Sequence, residues 1–140
     1  MSAEENKALA QRWLDEVWNK GDLSLIDELI APDYVLHDPT RPGLQGRAGI
    51  KESIAMFRQA FPDLHFTIED QIAEREKIVT RYTVQGTHLG PLMGIPATGK
   101  QGTITGIDIY RITHGQIEEA WSNWDTLGLL QRIGVIPPLG

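Results

Sequence analysis

Residues 104–125 read ITGIDIYRITHGQIEEAWSNWD, a long β-hairpin with its turn at Thr113-His114-Gly115-Gln116. Side chains alternate across a strand with a period of two. Ile104, Asp108, Tyr110, Ile112, Ile117, Glu119, Trp121, Asn123 and Asp125 are therefore expected on one face. That face mixes apolar and acidic groups. Burying an unpaired carboxylate is costly, so these acids must be wetted, paired or used. The hairpin reads as a pocket wall. Simple pairing through a two-residue turn sets Asp108 opposite Trp121, and a bulge at Gly115 would shift that register by one.

Before the hairpin, Leu89 to Lys100 (LGPLMGIPATGK) carries three glycines and two prolines. It is too long for a hairpin turn, and long irregular loops in compact domains are commonly functional or mobile. Further upstream, Leu64, Phe66, Ile68 and Ile72 alternate with His65, Thr67, Glu69 and Gln71. After a charged turn, Glu74 to Lys77, a second strand sets Ile78, Tyr82, Val84 and His88 on one face and Arg81, Thr83 and Gln85 on the other. These two strands form an antiparallel pair. Beyond the hairpin an apolar helix is expected over Leu127 to Ile133.

The N-terminal part is helical. From Glu4 to Asn19, Leu9, Leu14, Trp13, Val17 and Trp18 make one broad apolar stripe, with Ser2 as N-cap and Lys20-Gly21 as the stop. Asp22 or Ser24 caps a short second helix carrying Leu25, Ile26, Leu29 and Ile30, closed by Pro32. Tyr34 to Asp38 is a short edge strand. After Gly46 comes a third helix with Ile50, Ile54, Phe57 and Phe61 at spacings of four, three and four, ended by Pro62; its polar side, including Arg58, reads as solvated. Helices gathered first and strands last imply an α+β domain, one unit over 1–140, with a concave sheet enclosing a cavity.

Composition narrows the function. With 41% hydrophobic residues, 23% charged and a net charge of −6, the chain is that of an ordinary globular protein without clustered basic residues. Nucleic acid and anionic membrane are excluded as main partners. No cysteine is present, which removes disulfides, thiolate catalysis and cysteine-bound metals. The start of the chain lacks a secretory pattern and nothing has the length of a membrane span, so a cytoplasmic location is expected. The four histidines, His37, His65, His88 and His114, form no HxH or HExxH pair, and no metal site is expected. GxSxG is missing, so no nucleophile elbow supports a serine triad.

Several residues are candidates for a site. Asp108 reads either as a base, as a partner of His88, or as a carboxylate hydrogen-bonded to backbone or tyrosine. Asp125 reads either as an acid/base group or as N-cap of the last helix. His37 and His88 border loops where side chains reach a cavity mouth, and His37 suits polarisation of a carbonyl. Asp38, before Pro39, is an ordinary turn starter. Trp121 or Trp124 is expected in the pocket, while Trp13 is assigned to packing.

Five segments taken together resemble a known family: Tyr34-Val35-Leu36-His37-Asp38-Pro39, Ala60 to His65, Gly86 to Gly90, Gly94 to Lys100 and Gly106 to Asp125. The chain resembles the SnoaL-like polyketide cyclases and ester cyclases, which share the nuclear-transport-factor-two-like cone. The resemblance implies a cone-shaped barrel in which a curved mixed or antiparallel sheet wraps the N-terminal helices. It also implies cofactor-free catalysis, in which a pocket aspartate removes a proton next to carbonyls and an intramolecular aldol attack closes a ring. The aspartate expected near a tryptophan of the last long strand falls on Asp125, after Trp124, since Ser122 follows Trp121. Asp108 is the second catalytic candidate. His37, His88, Tyr110, Trp121, Asn123 and Trp124 are then expected to bind substrate, a small apolar or aromatic molecule with carbonyl groups. A homodimer or homotetramer is expected. The alternatives are a non-catalytic binding module of the same fold, or an isomerase or hydrolase using the same pocket.

Overall fold

The computed structural model describes residues 2–139. Helix α1 spans Ala3–Arg12 and continues as a wide π-helical segment, Trp13–Asn19. Its start is closed by a capping box, in which the Ser2 hydroxyl accepts from the Glu5 N–H and the Glu5 side chain accepts from the Ser2 N–H. Gly21, at φ 73°, ends it in the left-handed conformation that glycine adopts without strain. The polar face of the third helix is less idle than its sequence suggests. Arg58 crosses to donate to the carbonyls of Trp18 and Asn19, satisfying the end of the first helix.

The second helix, α2 at Ile26–Leu29, is shorter than Pro32 implies. Strand β1 already begins at Ile30 and runs to His37, with Pro32 where its register shifts. Proline is tolerated there because the strand lies at the sheet edge and is locally bulged. Helix α3 spans Gly46–Ala60, followed by β2 (His65–Glu74), β3 (Lys77–Thr87), β4 (Gln101–Thr113), β5 (Gln116–Trp124) and α4 (Thr126–Arg132). The sheet order is β1-β5-β4-β3-β2, antiparallel except for the parallel β1–β5 pair. The α+β cone is the fold, with the first and third helices packed inside the curl. Among the described residues, no helix is long and apolar enough to cross a membrane.

Two bulges correct the expected faces. In β2 the register shifts between Ile68 and Asp70, so Ile72 turns outward and is 59% exposed instead of joining Phe66 and Ile68 inside. In the hairpin the turn is the expected two-residue one, His114 at φ 53° and Gly115 at φ 74°, but the register shifts beyond it. Ile112 pairs with Ile117, whereas Arg111 pairs with Glu119, leaving Glu118 as the extra residue. Asp108 therefore stands opposite Ser122, not Trp121. Beyond the bulge Ala120 and Ser122 are buried and Trp124 packs against the core, while Glu119, Trp121 and Asn123 sit on the other face from Asp108 and Tyr110.

The loop between β3 and β4 is fastened at several points. His88 and Lys100 continue the ladder, with His88 N–H donating to the Lys100 carbonyl at 2.9 Å and Gly99 N–H to the His88 carbonyl at 2.8 Å. Leu92 is buried, and the Leu89 and Gly90 N–H groups both donate to the Ala60 carbonyl at the end of α3. A Cβ on Gly90 would overlap the Gln59 carbonyl oxygen, so this close docking requires glycine.

Candidate active site

A cavity with about 670 Å³ of empty volume, counting its open mouth, lies between the first and third helices and the concave sheet. Its aromatic walls include Trp18, Phe57, Phe61, Phe66 and Trp124. Trp18 packs tilted against Phe57 and Phe66 at 6.0 and 5.2 Å, and Trp124 meets Phe57 edge-on at 5.9 Å. Polar atoms enter it from Asp108, Ser122, Tyr82 and Arg41.

Asp108 places a carboxyl in the wall of this cavity. The alternation of β4 turns it inward, where Tyr110 Oη donates to its Oδ2 at 2.9 Å and Tyr82 Oη to its Oδ1 at 3.3 Å. Burial pushes its carboxyl up to about 6, against the hydrogen-bonding hydroxyls of Ser122 and Tyr110, the charge of Arg41 and the hydroxyl of Tyr82, all of which favour the ionised form. Burial and the Asp108 charge raise the phenols of Tyr34, Tyr82 and Tyr110, so all three remain protonated donors. The result is a carboxylate that titrates near neutrality inside an apolar chamber, the property a general acid/base requires.

Gly106 makes room for this arrangement. It pairs with Tyr82 across β3 and β4, and a Cβ there would overlap the phenol end of Tyr82. Gly106→Ala is expected to push Tyr82 into the cavity and break its bond to Asp108. Losing a donor to the ionised form raises the Asp108 carboxyl further, so the acidic limb of a kcat/KM–pH profile moves to higher pH. An unmoved limb would count against this role for Tyr82.

The other expected site residues separate into two groups. Tyr110 and Trp124 join Asp108, with Tyr110 packed behind the carboxylate and Trp124 in the cavity wall. His88 is fully buried but does not line the cavity; it stacks on Phe61 at 5.4 Å and accepts at Nδ1 from the Thr98 N–H at 3.3 Å. It does not partner Asp108. Trp121 and Asn123 stand outside the cone because of the bulge, and His37, the partner of Trp121 in the parallel β1–β5 pair, lies outside beside them. There the His37 ring stacks on Trp121 at 5.3 Å, and its Nε2 lies 2.6 Å from Glu119. Asp125 caps α4, accepting from the Gly128 N–H at 2.8 Å, and does not line the cavity.

Arg41 and Tyr82 were not legible as site residues, and Asp38 does more than start a turn. The Asp38 side chain has no exposed surface, and it accepts from the Thr40 N–H and hydroxyl, from Arg41 Nε and Nη2, and from Trp124 Nε1. Burial alone would raise its carboxyl, but the Arg41 charge and these hydrogen bonds outweigh burial and hold it below the usual carboxylate range. The signal available in sequence was local: a Pro-led turn, Asp38-Pro39-Thr40-Arg41, with opposite charges three residues apart.

The sequence profile of the SnoaL-like polyketide cyclases matches residues 8–133. The nogalonic acid methyl ester cyclase of Streptomyces nogalater is 29% identical over 119 residues, which cover 84% of this chain and 89% of that protein. The aklanonic acid methyl ester cyclase DnrD of Streptomyces peucetius is 26% identical over 126 residues, 88% of this chain and 87% of that one. The solved structure of TsrD from Streptomyces laurentii superposes with a TM-score of 0.87 at 29% identity, covering 97% of this chain and 99% of its own. With the profile matched over most of its length and the cone shared with a solved relative, the chain belongs to the SnoaL-like polyketide cyclase family.

Proposed function

We propose that this protein closes a ring by intramolecular aldol reaction on an aromatic polyketide methyl ester, without a cofactor, using Asp108 as general acid and base. The observation that carries this reading is Asp108 itself, a carboxyl held at about 6 in the wall of an apolar cavity. A proton between two carbonyls is already acidic, so a desolvated carboxylate is a strong enough base to remove it. The same carboxyl then returns the proton to the new alkoxide. The methyl ester cyclases among the relatives support the substrate class, and the aromatic walls suit a flat, apolar ring system. The test is incubation with an aromatic β-keto methyl ester of this type, with no added metal or nicotinamide. A cyclised product of unchanged mass is expected; unreacted ester overturns the reading.

The expected oligomer is a second proposal, supported by the outer sheet face. Ile72, Val79, Ile109 and Trp121 lie in one cross-strand row there, with Ile107 49% exposed beside it. Lys77 and Arg111 flank this row together with Glu118 and Glu119, so a copy turned by a two-fold axis meets unlike charges. Ile107→Lys is expected to convert a dimer to monomers in sedimentation at micromolar concentration. A wild-type mass of one chain sinks the proposal.

A further inference from the structure

We infer that Arg41 is a second catalytic residue, an oxyanion-binding group that receives the enolate oxygen of a 1,3-dicarbonyl substrate whose carbon proton Asp108 removes. The inference rests on the cyclase reading above and adds the group that carries the negative charge.

A guanidinium has five N–H bonds in a rigid fork. In Arg41, Nε donates to Asp38 at 3.0 Å, Nη2 to Asp38 at 2.7 Å and Nη1 to the Ser53 hydroxyl at 2.9 Å. One N–H on Nη1 and one on Nη2 are left without a protein acceptor among the described residues. The side chain is 13% exposed, and it lines the same cavity as Asp108. Its Cζ lies 5.4 Å from the centre of the Phe57 ring, which fixes the plane of the fork. Asp38 spreads its charge over the Thr40, Arg41 and Trp124 donors. The cation is therefore held in one orientation by a saturated partner, with two donors left over, in a chamber whose other walls are largely apolar.

Such donors discriminate between states of the substrate. A ground-state carbonyl oxygen is neutral, whereas the oxygen of the enolate bears the charge that forms when the proton leaves, so the interaction strengthens along the reaction. The Asp108 carboxylate takes the C–H proton, and that bond's electron pair passes into the enolate, whose oxygen sits against Arg41. The enolate carbon attacks a third carbonyl, remote from this pair in the same molecule, a C–C bond forms, and that C=O π pair becomes an alkoxide. Asp108 returns its proton to that oxygen. All atoms are retained, and no oxidant or reductant enters. A substrate with a single isolated ketone is excluded, because its proton is too weakly acidic for this base.

The test uses benzoylacetone, a 1,3-diketone that cannot cyclise and whose enolate absorbs at longer wavelength than its enol. Bound to the wild-type protein at pH 7, it should show the enolate band. Arg41→Gln should reduce that band at least tenfold. Because this single change leaves Asp38 buried with fewer partners, the deciding variant is Asp38→Asn/Arg41→Gln, which removes both charges together; its fold is checked by near-ultraviolet circular dichroism. Asp108→Asn, lacking the base but keeping Arg41, should retain the band. An undiminished enolate band in the folded double variant overturns the inference. So does ring closure at the wild-type rate in both Arg41 variants, which leaves the cyclase reading standing. Arg41-dependent enolate binding without ring closure by the wild type supports Arg41 and overturns the cyclase reading.

Discussion

Asp108→Asn should abolish ring closure and at the same time make the protein more stable at neutral pH. Its loss of activity follows from removing the base. The gain in stability follows from the carboxyl's titration, which rises from an ordinary 3.8 to about 6 in the folded protein. Between these two values the native state holds more protons than the unfolded chain, so stability falls as pH rises through the interval. Below about pH 4 both states are protonated and nothing is lost. Above about pH 6 the native protein carries the full cost of a desolvated charge, on the order of 3 kcal/mol. Asparagine has the same shape and no charge. Urea denaturation should therefore give a variant that exceeds wild type by up to about 3 kcal/mol at pH 8 and by little at pH 4. The wild-type kcat/KM should rise through pH 6 as the base ionises. A stability difference that does not change with pH would show that Asp108 titrates like an exposed carboxyl, and the assignment would fall with it.

The fold was legible because its signals are local and repeated. Helical stripes at Leu9, Trp13 and Val17 and at Ile50, Ile54 and Phe57 all lie in the core, and the period-two strands pair as expected. The site was legible on one strand only. Alternation along β4 correctly brings Asp108 and Tyr110 to one place, but one unpaired residue in β5 reverses every side chain after it. Glu118 and Glu119 contain the clue: two consecutive acids both bind Arg111, at 2.8 and 3.3 Å, as two residues opposite one do at a bulge. That contact is three-dimensional and no periodicity reveals it. Trp121 and Asn123 go outside for this reason, and Ser122 and Trp124 come in, while His37 is outward by the alternation of β1 itself. Arg41 was hidden differently. It reaches the cavity from a loop, where no period assigns a face, and its direction is set by Asp38 and Ser53.

Asp38→Ala should cost about 3–5 kcal/mol, the largest stability loss expected of any single change at the site. The carboxylate has no exposed surface and accepts from a backbone N–H, a hydroxyl, the guanidinium of Arg41 and an indole N–H. Removing it leaves Arg41 a nearly buried cation whose remaining acceptor is Ser53, and leaves the Trp124 indole N–H unpaired beside it. A buried charge stripped of its partner is much more expensive than the pair was valuable. Thermal unfolding should therefore begin on the order of 10–20 °C lower. The double change Asp38→Asn/Arg41→Gln removes both charges and keeps amide donors and acceptors in place. It should cost clearly less than the Asp38→Asn and Arg41→Gln losses added together, and that deficit is the signature of coupling between contacting groups. Strictly additive losses would mean that Asp38 and Arg41 contribute independently. Arg41 would then lack the fixed orientation on which the proposed enolate site depends, and a cation free to turn toward solvent would hold no enolate.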